Sequence, residues 1–190
     1  MAASEQIEYV RLAVYGVLSE TGRAPTTSEL GSALDRSEAS VGEALRALHE
    51  HLDVVLDGES RILMAHPFAT IPLGFSVMGT RTLWWGGCAW DPIAVPHLVG
   101  SEPTVLVATT CPGCGPAHAL TVTREQPPDG TQLAHVLTPT SQIWDDVVHA
   151  CAHQRIFCGR DGVDRWLSAE SQELGYVVDL ATLWRLARHW

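Results

Sequence analysis

The sequence predicts an α+β fold, a three-helix module of winged-helix type followed by a small mixed or antiparallel sheet domain with flanking helices. Three observations carry this. Residues 5–52 place apolar side chains at helical spacing. Residues 54–64 form two short β-runs around Asp57-Gly58-Glu59. Beyond Pro67 the chain becomes short strand candidates interrupted by helix starts. A hydrophobic content of 46% over 190 residues suits a packed protein and excludes disorder.

In order, the first helix spans 5–21, carrying Ile7, Val10, Leu12, Val14, Tyr15 and Leu18 and ended by Gly22. Thr26-Thr27-Ser28-Glu29 reads as a capping box opening a short helix. Ser37 caps a third helix, with Val41, Leu45, Leu48 and Leu52 on one face. A winged helix suggests DNA binding, but the would-be recognition helix offers only Arg46 against Glu38, Glu43 and Glu50. Such a surface repels phosphate and favours a structural or dimerising role. The domain boundary falls near Pro67, giving a module of residues 1–66 and a second domain of 67–190. In the second, strands are expected over 70–78, 80–85, 104–109, 118–123 and 133–137. Helices are expected over 91–99, 141–149, 161–169 and 180–189, with 126–130 a loop.

The formal net charge is −10, and all twelve basic residues are arginine, which argues against nucleic acid as the partner. Apolar runs are too short for a membrane span, and the N-terminus has no basic region leading into an apolar core. A cytoplasmic protein is expected. There the five cysteines point to metal or thiol chemistry rather than to a disulfide framework.

The most informative stretch is Trp84-Trp85-Gly86-Gly87-Cys88-Ala89-Trp90-Asp91-Pro92. Asp91 reads as an N-cap with Pro92 as the first helical residue, and Gly100 closes the helix. Cys88 then lies just before a helix N-terminus, where its thiol pKa should fall and its sulfur should be exposed. The three tryptophans are candidates for the walls of an apolar pocket. Cys111 and Cys114, in Cys-Pro-Gly-Cys, have the spacing of a zinc knuckle. A second ligand pair would have to be Cys151 with His153, or Cys151 with Cys158. Against zinc, Cys111 reads as a packed strand-end thiol and Cys158 as a buried apolar residue. His149 and His153 are near enough in sequence to tune Cys151. No Ser-His-Asp set, P-loop or dinucleotide fingerprint is present.

The Cys88-Ala-Trp-Asp91 segment, with Pro96-His-Leu-Val-Gly100 after it, resembles the active-site segment of the alkylmercury lyases. Thr109-Thr-Cys111, with Gly115, Pro116 and the run 119–123, is similar to that family's next block. Cys151-Ala-His153 with Phe157 and Trp166 resembles the block holding its second catalytic cysteine. The resemblance covers most of the chain, strongest over 67–166. It implies that Cys88 and Cys151 bind the mercury, that Asp91 shuttles the proton and that Cys111 is structural. It also implies carbon–mercury protonolysis with no organic cofactor and with Hg(II) as bound product. The implied partners are an organomercurial substrate, small cytosolic thiols and a mercuric reductase receiving Hg(II). Three departures stand out. Gly87 replaces an aromatic residue, Cys114 is an additional thiol, and Ala152 stands where some relatives have a cysteine. Three other readings compete: a soft-metal (Hg, Cu or Zn) binding protein without catalysis, a metal-sensing winged-helix regulator, and a related lyase acting on another carbon–heteroatom bond.

Overall fold

The computed structural model describes residues 3–137, 144–170 and 175–189. It is an α+β structure whose strand pairings, among these residues, are all antiparallel. Three helices come first: α1 (Ala3–Thr21), α2 (Thr27–Leu34) and α3 (Glu38–Glu50). The expected caps form. Thr26 Oγ1 accepts the Glu29 N–H while the Glu29 carboxylate accepts the Thr26 N–H, and Ser37 Oγ accepts the Ser40 N–H. Gly22, with φ of +70°, ends α1 against Leu83, whose carbonyl oxygen would lie 2.1 Å from any Cβ there.

The strands β1 (Val55–Leu56) and β2 (Ile62–Ala65) form the expected hairpin. It is not a free-standing wing, because β2 pairs onward with β3 (Phe68–Ala69). Then follow β4 (Phe75–Met78), β5 (Leu83–Gly86), β6 (Thr104–Thr110) and β7 (Ala117–Thr123), and the seven-stranded sheet runs β1-β2-β3-β5-β4-β6-β7. The alternation Val105, Val107, Thr109 of β6 faces inward, as a sheet with one buried face requires. One apolar core joins Val10, Val14 and Leu18 of α1 to Phe68, Trp84 and Val107 of the sheet. Trp84 Nε1 adds a bond to the Leu18 carbonyl at 2.9 Å. Trp84 is therefore a core residue on the face away from Cys88, not a pocket wall.

The helix α4 (Asp91–Leu98) packs on this sheet and against α7 (Leu180–Ala187), with residues 91–96 all buried. A helix apolar on every side belongs in the interior. Arg124, just past β7, closes its C-terminus, donating to the carbonyls of Pro96 (2.8 Å) and Val99 (3.2 Å). A second sheet, ordered β10-β8-β9, contains β8 (Leu133–Leu137), β9 (Ile156–Phe157) and β10 (Gly175–Asp179). The helices α5 (Val147–His153) and α6 (Arg160–Glu170) flank it. The expected helix over 141–149 begins later, at the Asp146 cap, so that Cys151 lies within it; residues 141–143 are outside the described residues. The strands β3, β9 and β10 were not expected from the sequence. Among the described residues, no helix is long and apolar enough to cross a membrane.

Candidate active site

The site is built where the end of β5 turns into α4 and α5 packs over it. The turn starts one residue earlier than expected. The Asp91 N–H reaches the Cys88 carbonyl at 3.2 Å, making Trp90 the N-cap and Asp91 the first residue of α4. Freed from capping, the Asp91 carboxylate folds back, and its Oδ2 accepts the Cys88 backbone N–H at 2.8 Å. Its Oδ1 lies 3.1 Å from His66 Nδ1. Cys151 enters from α5, and a ligand atom each from His66, Asp91 and Cys151 fall within 4.8 Å of one another. Cys88 and Cys151 pack in one buried cluster. The structure thus brings together Cys88, Asp91 and Cys151, which are 63 residues apart at the extremes of sequence.

All of these groups are buried: Asp91 is 0% exposed, Cys151 1%, and Cys88 and His66 6% each. The expectation of an exposed, acidified Cys88 is therefore corrected. Its pKa is raised well above 9.0, because the neighbouring Cys151 thiol favours the protonated form, burial disfavours thiolate, and the Asp91 carboxylate is close. The Asp91 backbone N–H, which favours the thiolate, opposes this and loses. The His66 imidazole shows the reverse balance. Burial alone would lower its pKa, but the charge and hydrogen bond of Asp91 outweigh it and raise the value above 6.5.

Around the thiols lies an apolar shell of Val55, Met64, Ala69 and Val147, with Trp85, Trp90 and Trp144 half-buried at its margin. Trp85 and Trp90 therefore do wall the site, and Trp144 sets its ring edge on His66 at 5.4 Å between centroids. Gly87 is required by the crowding. A Cβ there would lie 2.3 Å from Met64 Cε, 2.6 Å from Asp91 Oδ2 and 3.4 Å from Cys151 Sγ. His149 and His153 stack on one another at 4.0 Å, on the side of α5 away from Cys151, since residues four apart share a face. His66, 25 residues before Asp91, is the member that sequence reasoning missed, and no motif spacing marks it.

The family model "MerB: Alkylmercury lyase" matches residues 68–190, which hold Cys88, Asp91 and Cys151. The chain belongs to the alkylmercury lyase family. It is thereby an enzyme, a carbon–mercury lyase. The fold agrees with a solved structure described as the mercury-bound form of MerB2. The TM-score is 0.71 at 15% identity, covering 97% of this chain and 96% of that one. No curated protein matches the chain significantly. The match leaves out the first 67 residues, so His66 and the three opening helices lie outside it.

Within this alkylmercury lyase the remaining cysteines gather elsewhere. Cys111 directly follows β6, Cys114 comes next in the Cys-Pro-Gly-Cys turn, and Cys158 precedes α6. Cys114 Sγ lies 3.1 Å from Cys111 Sγ and 2.6 Å from Cys158 Sγ. Neither Cys151 pairing expected for the knuckle occurs, because Cys151 points to Cys88 instead. Cys158 is exposed rather than buried.

Proposed function

We propose that the chain cleaves carbon–mercury bonds by protonolysis, with Cys88 and Cys151 as the mercury ligands and Asp91 as the proton carrier. The observation that carries this is the buried meeting of two thiols with one carboxylate. Thiolates are the soft ligands that a soft metal ion selects. Cys88 holds its proton well above the usual thiol range, so an arriving organomercurial must displace a proton there rather than find a thiolate waiting. Asp91, bonded to the Cys88 N–H and close to Cys151, is placed to take the proton that the second thiol releases.

Cys88 sulfur binds mercury in place of the substrate's departing ligand, and its proton leaves with that ligand. Cys151 sulfur then binds the same mercury and gives its proton to Asp91. The second sulfur raises electron density at carbon, the carbon–mercury pair takes the proton from Asp91, and the hydrocarbon leaves. Hg(II) remains between two sulfurs, and Asp91 is again a carboxylate. His66 is a positioning residue: it holds Oδ1 of Asp91 and leaves Oδ2 toward the thiols. The released Hg(II) passes to small cytosolic thiols and then to a mercuric reductase. No organic cofactor takes part in these steps.

In this reading residues 67–190 carry the chemistry, and the module of 1–66 covers the sheet. Its α3 exposes Glu38, Glu43 and Glu50 beside Arg46, which leaves it unsuited to DNA. The test is hydrocarbon release from phenylmercury or methylmercury with excess small thiol. The wild type turns over repeatedly, while Cys88→Ser and Cys151→Ser release nothing above background. Turnover surviving in Cys151→Ser would exclude the two-thiol mechanism.

A further inference from the structure

We infer that Cys111, Cys114 and Cys158 form a second metal site, separate from the reacting thiols, that holds a zinc ion on three thiolates. The three sulfurs lie within 4.8 Å of one another. They come from two segments 44 residues apart, so chain proximity alone does not gather them. At 2.6 and 3.1 Å, two of the separations are closer than neutral thiols pack side by side. Zinc with bonds of about 2.3 Å sets tetrahedral sulfurs about 3.8 Å apart. Both short separations involve Cys114, which is half-buried on a turn flanked by Gly113 and Gly115. An outward shift of that one residue, by about 1 Å, satisfies both.

The surroundings fit a bound ion. The Cys158 N–H points at Cys111 Sγ at 3.4 Å, the backbone-to-sulfur bond that a thiolate ligand accepts. Gly162 of α6 faces all three sulfurs. A Cβ there would lie 3.0 Å from Cys111 Sγ, 3.3 Å from Cys158 Sγ and 3.6 Å from Cys114 Sγ. Gly113 in turn meets the Gly162 carbonyl so closely that a Cβ would be 1.8 Å away. Two glycines thus let α6 close against the Cys-Pro-Gly-Cys turn. Water completes four-coordination at the exposed Cys158 side. The core here is small, with Cys111, Phe157, Val163 and Trp166 its buried members. An ion tying β6 to the start of α6 would brace β9, and with it the chain that runs on from Cys151.

The test uses the full chain, produced with zinc and without mercury, dialysed and assayed for metal and for thiols after denaturation. One zinc per chain and five free thiols are expected. Cobalt exchanged for zinc should give the ligand-field and sulfur charge-transfer bands of a tetrahedral thiolate site. Cys114→Ser and Cys158→Ser should lose the metal, and Cys151→Ser should keep it. A zinc-free chain with five thiols would overturn the proposal, and so would a Cys114–Cys158 disulfide. Metal lost from Cys151→Ser but kept by Cys114→Ser would also overturn it, by placing the ion at the other site. Because the metal content is read without organomercurial, failure here leaves the lyase reading untouched.

Discussion

Gly87→Ala is the smallest change that tests how tightly the site is set. A Cβ at this position would sit 2.3 Å from Met64 Cε and 2.6 Å from Asp91 Oδ2. The Met64 methyl ends a flexible side chain and can swing aside at little cost. The carboxylate cannot, because Oδ2 holds the Cys88 N–H at 2.8 Å and Oδ1 faces His66 at 3.1 Å. Restoring an ordinary 3.4 Å contact moves Oδ2 by about 0.8 Å, enough to break the 2.8 Å bond. Overpacking of this kind costs about 1–3 kcal/mol. A misplacement near 1 Å at a reacting group lowers turnover by about 100-fold. The assay is hydrocarbon release under excess thiol, paired with urea unfolding. We expect a fall in kcat of about 10- to 100-fold and a lower urea midpoint. Wild-type kcat with unchanged stability would refute the claim that Asp91 is held in one working position. The same crowding leaves no room for a side chain at position 87 while Met64 and Asp91 stand where they do.

Two further outcomes follow from the same structure. His66 has a raised pKa in the folded state, so its contribution to stability is complete below pH 6.5 and lost as pH rises through the folded value. His66→Gln should therefore lower stability at pH 6 by about 1–3 kcal/mol and flatten the decline as pH rises above 6.5; an unchanged pH profile by thermal or urea unfolding would contradict this. Thr26→Ala removes one half of the capping box and should cost about 1 kcal/mol in urea unfolding while leaving lyase activity intact; loss of activity would tie α2 to the site.

Local signals made much of the fold legible. The capping box at Thr26, the cap at Ser37 and the alternation in β6 each act within a few residues, and each forms as the sequence indicates. The strand β10 also carries a local signal outside the expected strands, since Tyr176-Val177-Val178 is a strong β-run after Gly175. β3 and β9, at two residues each, exist through pairing with distant strands and leave no periodicity to read. At the site, Cys88 and Asp91 were visible because one turn joins them. His66 was not, because its meeting with Asp91 depends on where β2 runs in the sheet. The helix-dipole argument for Cys88 failed for a physical reason: burial, Cys151 and the Asp91 charge together exceed what a helix N-terminus provides. The trio of Cys111, Cys114 and Cys158 required the tertiary fold, since only the packing of α6 on the turn shows which cysteine completes the pair.

The most direct test of the account is intact-protein mass spectrometry after one equivalent of phenylmercury, comparing wild type with Asp91→Asn. The wild type should carry the mass of mercury alone, with benzene released. Asp91→Asn, still having both thiols but no group to deliver the proton, should carry intact phenylmercury. Benzene release from Asp91→Asn at the wild-type rate would contradict the proton role of Asp91. Phenylmercury held intact by the wild type would contradict the cleavage itself.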